Sequence, residues 1–401
     1  MKVKVEKSLL SGKIRAMVSK SYAHRISICN FLAGNNISNI TGVKSQDILA
    51  TENCLTSLLE KNNQLDCGES GSTLRFLLPL CASIGGEYTF LGHGKLLSRP
   101  NEELFSVFSK HGVKSEKLQD KILISGKLTC GEYHIRGDIS SQYISGLLMA
   151  LPTLNGDSKI ILTTPLVSSP YVDITLEVLR SYGIEINKED NTFIIKGGQK
   201  YIGNILPEGD WSNCAFFLAG ASVNGQVEIS NLNKNSVQGD KKIVEILKSA
   251  NANIKWVDDK LCAFGNKLKA FSFDAEDCPD IVPILAVVAS FSLGTSVIKN
   301  IQRLKIKESD RIESTLSLLK SFGIKATCDG KNLTIYGGEL TKDMPIINSY
   351  NDHRIVMSAS IMGVLSNNGC IIEGAEAVNK SYPNFFDDLI KLGGKVSEIQ
   401  W

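Results

Sequence analysis

Lys307, Glu308, Ser309, Asp310 and Arg311 are consecutive, and four of the five are charged. A carboxylate, an ammonium and a guanidinium this close could hold an anion and move a proton in one place. The run follows a β-forming stretch, 295–301, and opens an amphipathic one, 312–319. A helix starting near Lys307 would put that residue and Arg311 on one face at i, i+4, with Glu308 close to Arg311 at i, i+3. Alone, such a run is the solvated first turn of a surface helix. Other stretches share its placement. They are Lys20-Ser21 with His24 and Arg25, Gly68-Glu69-Ser70-Gly71-Ser72-Thr73 before Arg75, Ser140-Ser141-Gln142, Asp210-Trp211-Ser212, Asp280 after Pro279, and Asn351-Asp352-His353-Arg354. Arg99-Pro100, Ser168-Ser169-Pro170-Tyr171 and Lys380-Ser381-Tyr382-Pro383 stand apart from these.

Each has an ordinary explanation. Ser, Asp and Asn at a helix start are N-caps. His24 reads as a packed or exposed histidine, and single Arg and Lys side chains are solvated. Together they say more. Arg25, Arg75 and Arg354 follow three different helix starts within about one turn. Hydroxyls beside arginines supply the mixed donors that phosphate and carboxylate oxygens need. Gly68 and Gly71 let backbone N–H groups approach an anion closely. The acid–base candidates are Asp280, Glu308, Asp352 and His353. No Walker loop, dinucleotide fingerprint or metal-ligand spacing occurs. The pattern points to an enzyme or binder for small, multiply charged, phosphorylated molecules.

The elements that must position these residues repeat, with a period of about 70 residues. One phrase is an amphipathic helix, a glycine or small residue, then a short strand: 104–113, 176–184, 244–254, 316–324 and 389–396. The other is a polar start, an apolar helix, a glycine turn and a strand: 21–40, 70–91, 141–162, 212–229, 280–298 and 352–372. Six such α/β units predict two domains of three. The apolar helices have little polar face and should be buried, with their N-terminal N–H groups and positive dipole ends available to anions. The stretch Pro207-Glu208-Gly209-Asp210 is the expected crossover. The boundaries read as 1–18 plus 208–401 for one domain and 19–207 for the other, with hinges near 18 and 207–210.

Size and composition agree. The chain has 401 residues, 43% hydrophobic and 21% charged, enough for two cores. A net charge of +2 provides no field for nucleic acid or an anionic membrane. Ten cysteines with no CxxC read as thiols of a reducing compartment. The first residues lack a signal-peptide pattern, and the longest apolar run, 281–293, is short for a membrane span and contains Pro283.

In order along the chain, Lys20-Ser21 with Arg25, Gly68–Arg75, Arg99-Pro100, Ser140-Ser141-Gln142, Lys307–Arg311, Asn351–Arg354 and Lys380 before Pro383 resemble the motifs of the 5-enolpyruvylshikimate-3-phosphate synthase family. The resemblance implies an α/β fold of two domains, each of three βαβαββ units forming an inside-out barrel. Its buried helices would aim their N-termini at an interdomain cleft. It implies transfer of the enolpyruvyl group of phosphoenolpyruvate to the 5-hydroxyl of shikimate 3-phosphate, with release of phosphate, in the shikimate pathway of aromatic amino acid biosynthesis. Lys20, Ser21, Arg25, Ser140, Ser141, Ser168, Tyr171, Asp280 and Lys307 would hold shikimate 3-phosphate. Lys20, Gly71, Arg99, Gln142, Arg311, Arg354 and Lys380 would hold phosphoenolpyruvate. Asp280 with Lys20 would act at the 5-hydroxyl, and Glu308 and Lys380 at the methylene carbon. No metal or cofactor is expected, nor any nucleic-acid or membrane partner. A cytoplasmic monomer is.

Two departures stand out. The common family form has Asn-Ala where this chain has Glu69-Ser70, which leaves Glu69's part in binding, and glyphosate sensitivity, open. Arg303 stands where many members have Asn. The alternatives are the sister enzyme acting on UDP-N-acetylglucosamine and a non-catalytic scaffold for a polyanion. The sister family carries a reactive cysteine on the loop before its Arg-Pro, and residues 92–100 contain none. The near-neutral charge and the carboxylates among the arginines speak against the scaffold.

Overall fold

In the computed structural model, residues 1–38, 40–341 and 343–399 are described. The chain forms two compact units, Met1–Met17 with Glu208–Trp401, and Val18–Pro207. Among the described residues there are five four-stranded sheets, three in the first unit and two in the second. All five follow one plan.

In Val18–Pro207, strand Gln64–Asp66 runs parallel to Gly86–Leu91. That strand pairs antiparallel with Lys121–Gly126, which pairs antiparallel with Val113–Lys117. A parallel pair needs a crossover, and the helix Gly71–Ile84 supplies it. The second helix, Glu102–Lys110, leads into the hairpin. The same plan recurs with strands Glu132–Ile135, Ser158–Leu162, Ile186–Glu189 and Thr192–Ile195 around helices Ser141–Ala150 and Ser169–Ser181.

In the other unit, Ser272–Asp274, Thr295–Lys299, Ala326–Cys328 and Leu333–Tyr336 repeat the plan within one continuous stretch. The remaining two sheets each need a strand from the chain's beginning. Leu10–Arg15 lies parallel to Gly225–Ser230 and starts one sheet. Lys2–Glu6 lies between Cys370–Glu373 and Lys395–Glu398, so the first strand of the chain completes the last sheet. Its Val3 and Val5 are buried while the alternating Lys2 and Lys4 are not, the period of two that a one-sided sheet requires.

The interior belongs to helices. In Trp211–Val223, Val282–Ser290 and His353–Leu365 nearly every side chain is buried. Their serines are tolerated there because Ser222, Ser290 and Ser360 donate to carbonyl oxygens four residues back, at 2.7, 2.9 and 2.8 Å.

Two local expectations fail. The helix expected from Lys307 begins at Arg311, because Asp310 is extended and its carboxylate accepts from the N–H groups of Ile312 and Glu313 at 3.0 and 3.2 Å. Lys307 instead follows a 3-10 turn, Gln302–Ile306. The strand expected at the end of 21–40 does not form among the described residues. Gly34 (φ 70°) ends helix Lys20–Ala33, and the Asn36 side chain accepts from Ser38 N–H at 3.0 Å. That local turn takes the place of a ladder, while Ile37 and Ile40 remain buried.

Candidate active site

In Val18–Pro207 the polar helix starts hold one another. Lys20 opens helix Lys20–Ala33, and its Nζ lies 2.7 Å from an oxygen of Asp47, at the start of helix Gln46–Leu59. One turn on, Arg25 is 2% exposed. It donates to Thr175 Oγ1 (2.7 Å), the Ser21 carbonyl (2.7 Å), Ser145 Oγ (3.3 Å) and the Tyr171 carbonyl (2.8 Å). Burial pushes its pKa down to about 10, and it remains a cation. The sequence pairs Ser21 with Arg25 as anion donors, and the fold joins them through the serine's backbone. Arg25 also ties its helix to Ser141–Ala150 and Ser169–Ser181.

Ser70 caps helix Gly71–Ile84 by accepting from Thr73 N–H at 3.2 Å. A Cβ at Gly71 would lie 2.5 Å from Arg99 Nη1, so glycine lets that guanidinium lie against the first turn where a larger residue would push it aside. Arg75 donates to Asn101 Oδ1 (3.2 Å), Gln142 Oε1 (2.8 Å) and the Pro100 carbonyl (2.9 Å). It thereby anchors the Arg99-Pro100 loop and orients Gln142, whose amide donates to Ser72 at 3.0 Å. Ser140 caps Ser141–Ala150 by accepting from Gln142 N–H at 3.3 Å. Ser168 occupies the N-cap position of Ser169–Ser181 in the left-handed region (φ 55°) without a side-chain cap bond, and its carbonyl accepts from Tyr171 N–H at 3.1 Å. Glu69 lies against Gly94 on the loop before Arg99.

In the other unit Asp280 sits in the 3-10 turn Pro279–Ile281. Lys307 Nζ is 3.2 Å away, Arg311 Nη1 2.8 Å and Arg354 Nη2 3.6 Å. Arg311, 1% exposed, also reaches Glu308 at 2.7 Å and Asp352 at 2.8 Å. Asp352 caps helix His353–Leu365 through Arg354 N–H at 2.9 Å and accepts from Ser309 at 2.9 Å. Lys380 Nζ donates to the Asn351 carbonyl at 2.8 Å. His353 is buried at the same helix start.

Burial alone would raise the Asp280 carboxyl, but Lys307, Arg311 and Arg354 outweigh it and hold it well below the usual carboxylate range. The Lys307 ammonium moves down, chiefly through burial. Asp240, absent from the sequence-based candidates, accepts from Ser212 Oγ and is pushed up to about 6, first by burial and then by Asp280. Asp47 was also not singled out. No spacing rule connects Lys20 to a carboxylate 27 residues away. Each cluster combines fixed cations with carboxylates, a set able to clamp a phosphate or carboxylate and to relay a proton.

A family model for EPSP synthase (3-phosphoshikimate 1-carboxyvinyltransferase) matches residues 56–389. The 3-phosphoshikimate 1-carboxyvinyltransferase of Clostridium botulinum (strain Eklund 17B / Type B) is 40% identical over 425 aligned positions, covering 98% of each chain. That of Clostridioides difficile (strain 630) is 38% identical over 430, covering 99% of this chain and 98% of the relative. Among solved structures, an EPSP synthase from Acinetobacter baumannii superposes with a TM-score of 0.79 at 23% identity, over 99% of this chain and 100% of that one. The enolpyruvyl transferase NikO from Streptomyces tendae superposes with a TM-score of 0.75 at 15% identity, over 99% and 98%.

Proposed function

This chain belongs to the EPSP synthase family, and we propose that the clusters around Lys20 and Asp280 carry the family's reaction in it. It is a transferase of the shikimate pathway. It moves the enolpyruvyl group of phosphoenolpyruvate to the 5-hydroxyl of shikimate 3-phosphate and releases phosphate. The observation that carries this is identity of about two residues in five along nearly the whole chain.

The shikimate 3-phosphate contacts assigned to Val18–Pro207 are Lys20, Ser21, Arg25, Ser140, Ser141, Ser168 and Tyr171. Asp280 and Lys307 meet the hydroxyls of the same substrate. Phosphoenolpyruvate is held by Lys20, Gly71, Arg99, Gln142, Arg311, Arg354 and Lys380. Addition makes a C–O bond from the 5-hydroxyl to C2 of phosphoenolpyruvate while its methylene carbon gains a proton. Elimination of phosphate from the tetrahedral intermediate takes that proton back. Asp280, ionised at neutral pH, is in the right form to accept from the 5-hydroxyl, and Lys20 is the second group assigned to that step. The low basicity of Asp280 suits it to taking the proton only as the C–O bond forms. Glu308 and Lys380 serve the methylene carbon. Arginines already fixed by carboxylates need no reorganisation to meet the substrates' charge.

We assign the two compact units as the two domains and take the enzyme to act as a cytoplasmic monomer. Ten free thiols support a reducing compartment, and no helix among the described residues is long and apolar enough to cross a membrane. Phosphate release should require phosphoenolpyruvate and shikimate 3-phosphate together. Release with UDP-N-acetylglucosamine and not with shikimate 3-phosphate would overturn the assignment.

A further inference from the structure

Two features stand outside the reaction as assigned: His24, and Ser70, where the chain departs from the family's common form. The fold connects them. His24 Nδ1 lies 2.7 Å from Thr51 Oγ1, which lies 2.6 Å from Thr73 Oγ1. Thr73 donates to Ser70 Oγ at 2.8 Å, with the Asp47 carbonyl at 3.3 Å. His24 and Ser70 are 1% exposed, Thr51 and Thr73 fully buried.

The chain has a direction. The single hydroxyl hydrogen of Thr73 goes to Ser70 or to the Asp47 carbonyl. Thr51 therefore donates to Thr73, and its oxygen accepts from His24. Burial, then the charges of Lys20 and Arg25, hold the histidine pKa well below its usual value, so the ring is neutral and carries one N–H. The network assigns that hydrogen to Nδ1. Nε2 is buried without a hydrogen-bond partner, so the ring's polar contact runs through Thr51.

Both ends of the chain matter to chemistry. Asp47, whose carbonyl receives Thr73, holds Lys20 with its carboxylate. Ser70 caps the helix whose first residue, Gly71, lies against Arg99. The relay thus ties together the starts of helices Lys20–Ala33, Gln46–Leu59 and Gly71–Ile84.

We propose that His24 is a positioning residue for phosphoenolpyruvate: through Thr51, Thr73 and Ser70 it sets the Gly71 helix start against which Arg99 lies. This rests on the assignment of Gly71 and Arg99 to that substrate.

The test is steady-state phosphate release by His24→Leu, Thr51→Val, the double variant and His24→Asn, with each substrate varied in turn. His24→Leu and Thr51→Val should each raise the KM for phosphoenolpyruvate about five- to tenfold, the size of one lost buried hydrogen bond. The KM for shikimate 3-phosphate should stay within about twofold, and kcat should change less than the first KM. The double variant should be no worse than either single one, because both break the same chain. Asparagine can place an N–H where Nδ1–H lies, so His24→Asn should restore the KM. Equal rises for both substrates, no rise in Thr51→Val, or additive effects in the double variant would each overturn the relay. If His24→Leu fails to fold, Thr51→Val alone decides. Arg99→Ala is the control. If it leaves the phosphoenolpyruvate KM unchanged, the underlying substrate assignment has failed; if it raises that KM while the relay variants do not, only the relay has.

Discussion

Arg311 is surrounded by carboxylates on three sides, and the contrast among them defines their roles. Asp352 is fully buried and bound to its Nε, while Glu308 is partly exposed and bound at Nη2. The Asp352 contact fixes the guanidinium, and the more exposed Glu308 is the member proposed above for proton transfer. Glu308→Gln should therefore keep phosphoenolpyruvate and shikimate 3-phosphate binding within about threefold and lose turnover by about a hundredfold or more, the usual scale of a positioned acid–base group. Calorimetric titration beside single-turnover kinetics checks it, and near wild-type turnover would remove Glu308 from the proton path. Asp240 supplies a pH test. Its ordinary value is 3.8 and it is pushed up to about 6. Between those values the unfolded chain has released this proton and the folded one keeps it, so stability falls as pH rises through the window. At about 1.4 kcal/mol per pH unit the loss is about 3 kcal/mol. Asp280, held low, acts in the opposite sense at lower pH, so the comparison must be a difference. The unfolding free energy of Asp240→Asn minus that of wild type should grow by about that amount from pH 4 to pH 6.5. A pH-independent difference would show Asp240 to be unperturbed.

At the scale of elements, the site depends on where helices start. Ser70, Ser140, Asp210, Asp310 and Asp352 each cap a helix through a side-chain oxygen. Each cap satisfies an N–H of the first turn that the helix leaves unpaired and fixes the next residues in space. The least local element is the first strand. Lys2–Glu6 is paired on both sides. Deleting residues 1–6 would leave Cys370–Glu373 and Lys395–Glu398 without their shared partner and remove Val3 and Val5 from the core, about 1.5–3 kcal/mol for each valine. The truncated protein should lose its cooperative tryptophan-fluorescence transition, since Trp211 is buried in that unit's core. Retention of the wild-type melting curve would mean the sheet is not needed.

At the scale of the whole molecule, the tryptophan reporters belong to one unit. Trp211 and Trp256 both belong to Met1–Met17 with Glu208–Trp401, and Val18–Pro207 contains no tryptophan. Seven of the nine shikimate 3-phosphate contacts proposed above lie in Val18–Pro207. Units with their own interiors should unfold as separate cooperative steps. Shikimate 3-phosphate at a hundred times its Kd should stabilise the step seen by far-UV ellipticity by about 2.7 kcal/mol and move the fluorescence step less. Coincident, equally shifted curves would refute independent unfolding.

What the sequence determined by itself was local. Apolar helices with no polar face, glycines after them and capping residues before them mark the repeating units, because burial period, backbone sterics and caps act within one or two turns. The order of the polar starts carried the resemblance to the family that the comparisons then showed. What tertiary structure decided was who partners whom. Lys20 meets Asp47 across 27 residues, and Arg25 meets Thr175 across 150. Arg75 serves the Arg99 loop, Asp240 approaches Asp280, and His24 joins a buried chain of hydroxyls. The strand expected near Ile40 gave way to a turn, and the helix expected at Lys307 waited for Asp310. A side chain's type limits the hydrogen bonds it can make, but packing of distant segments selects among them and sets the burial that moves each pKa.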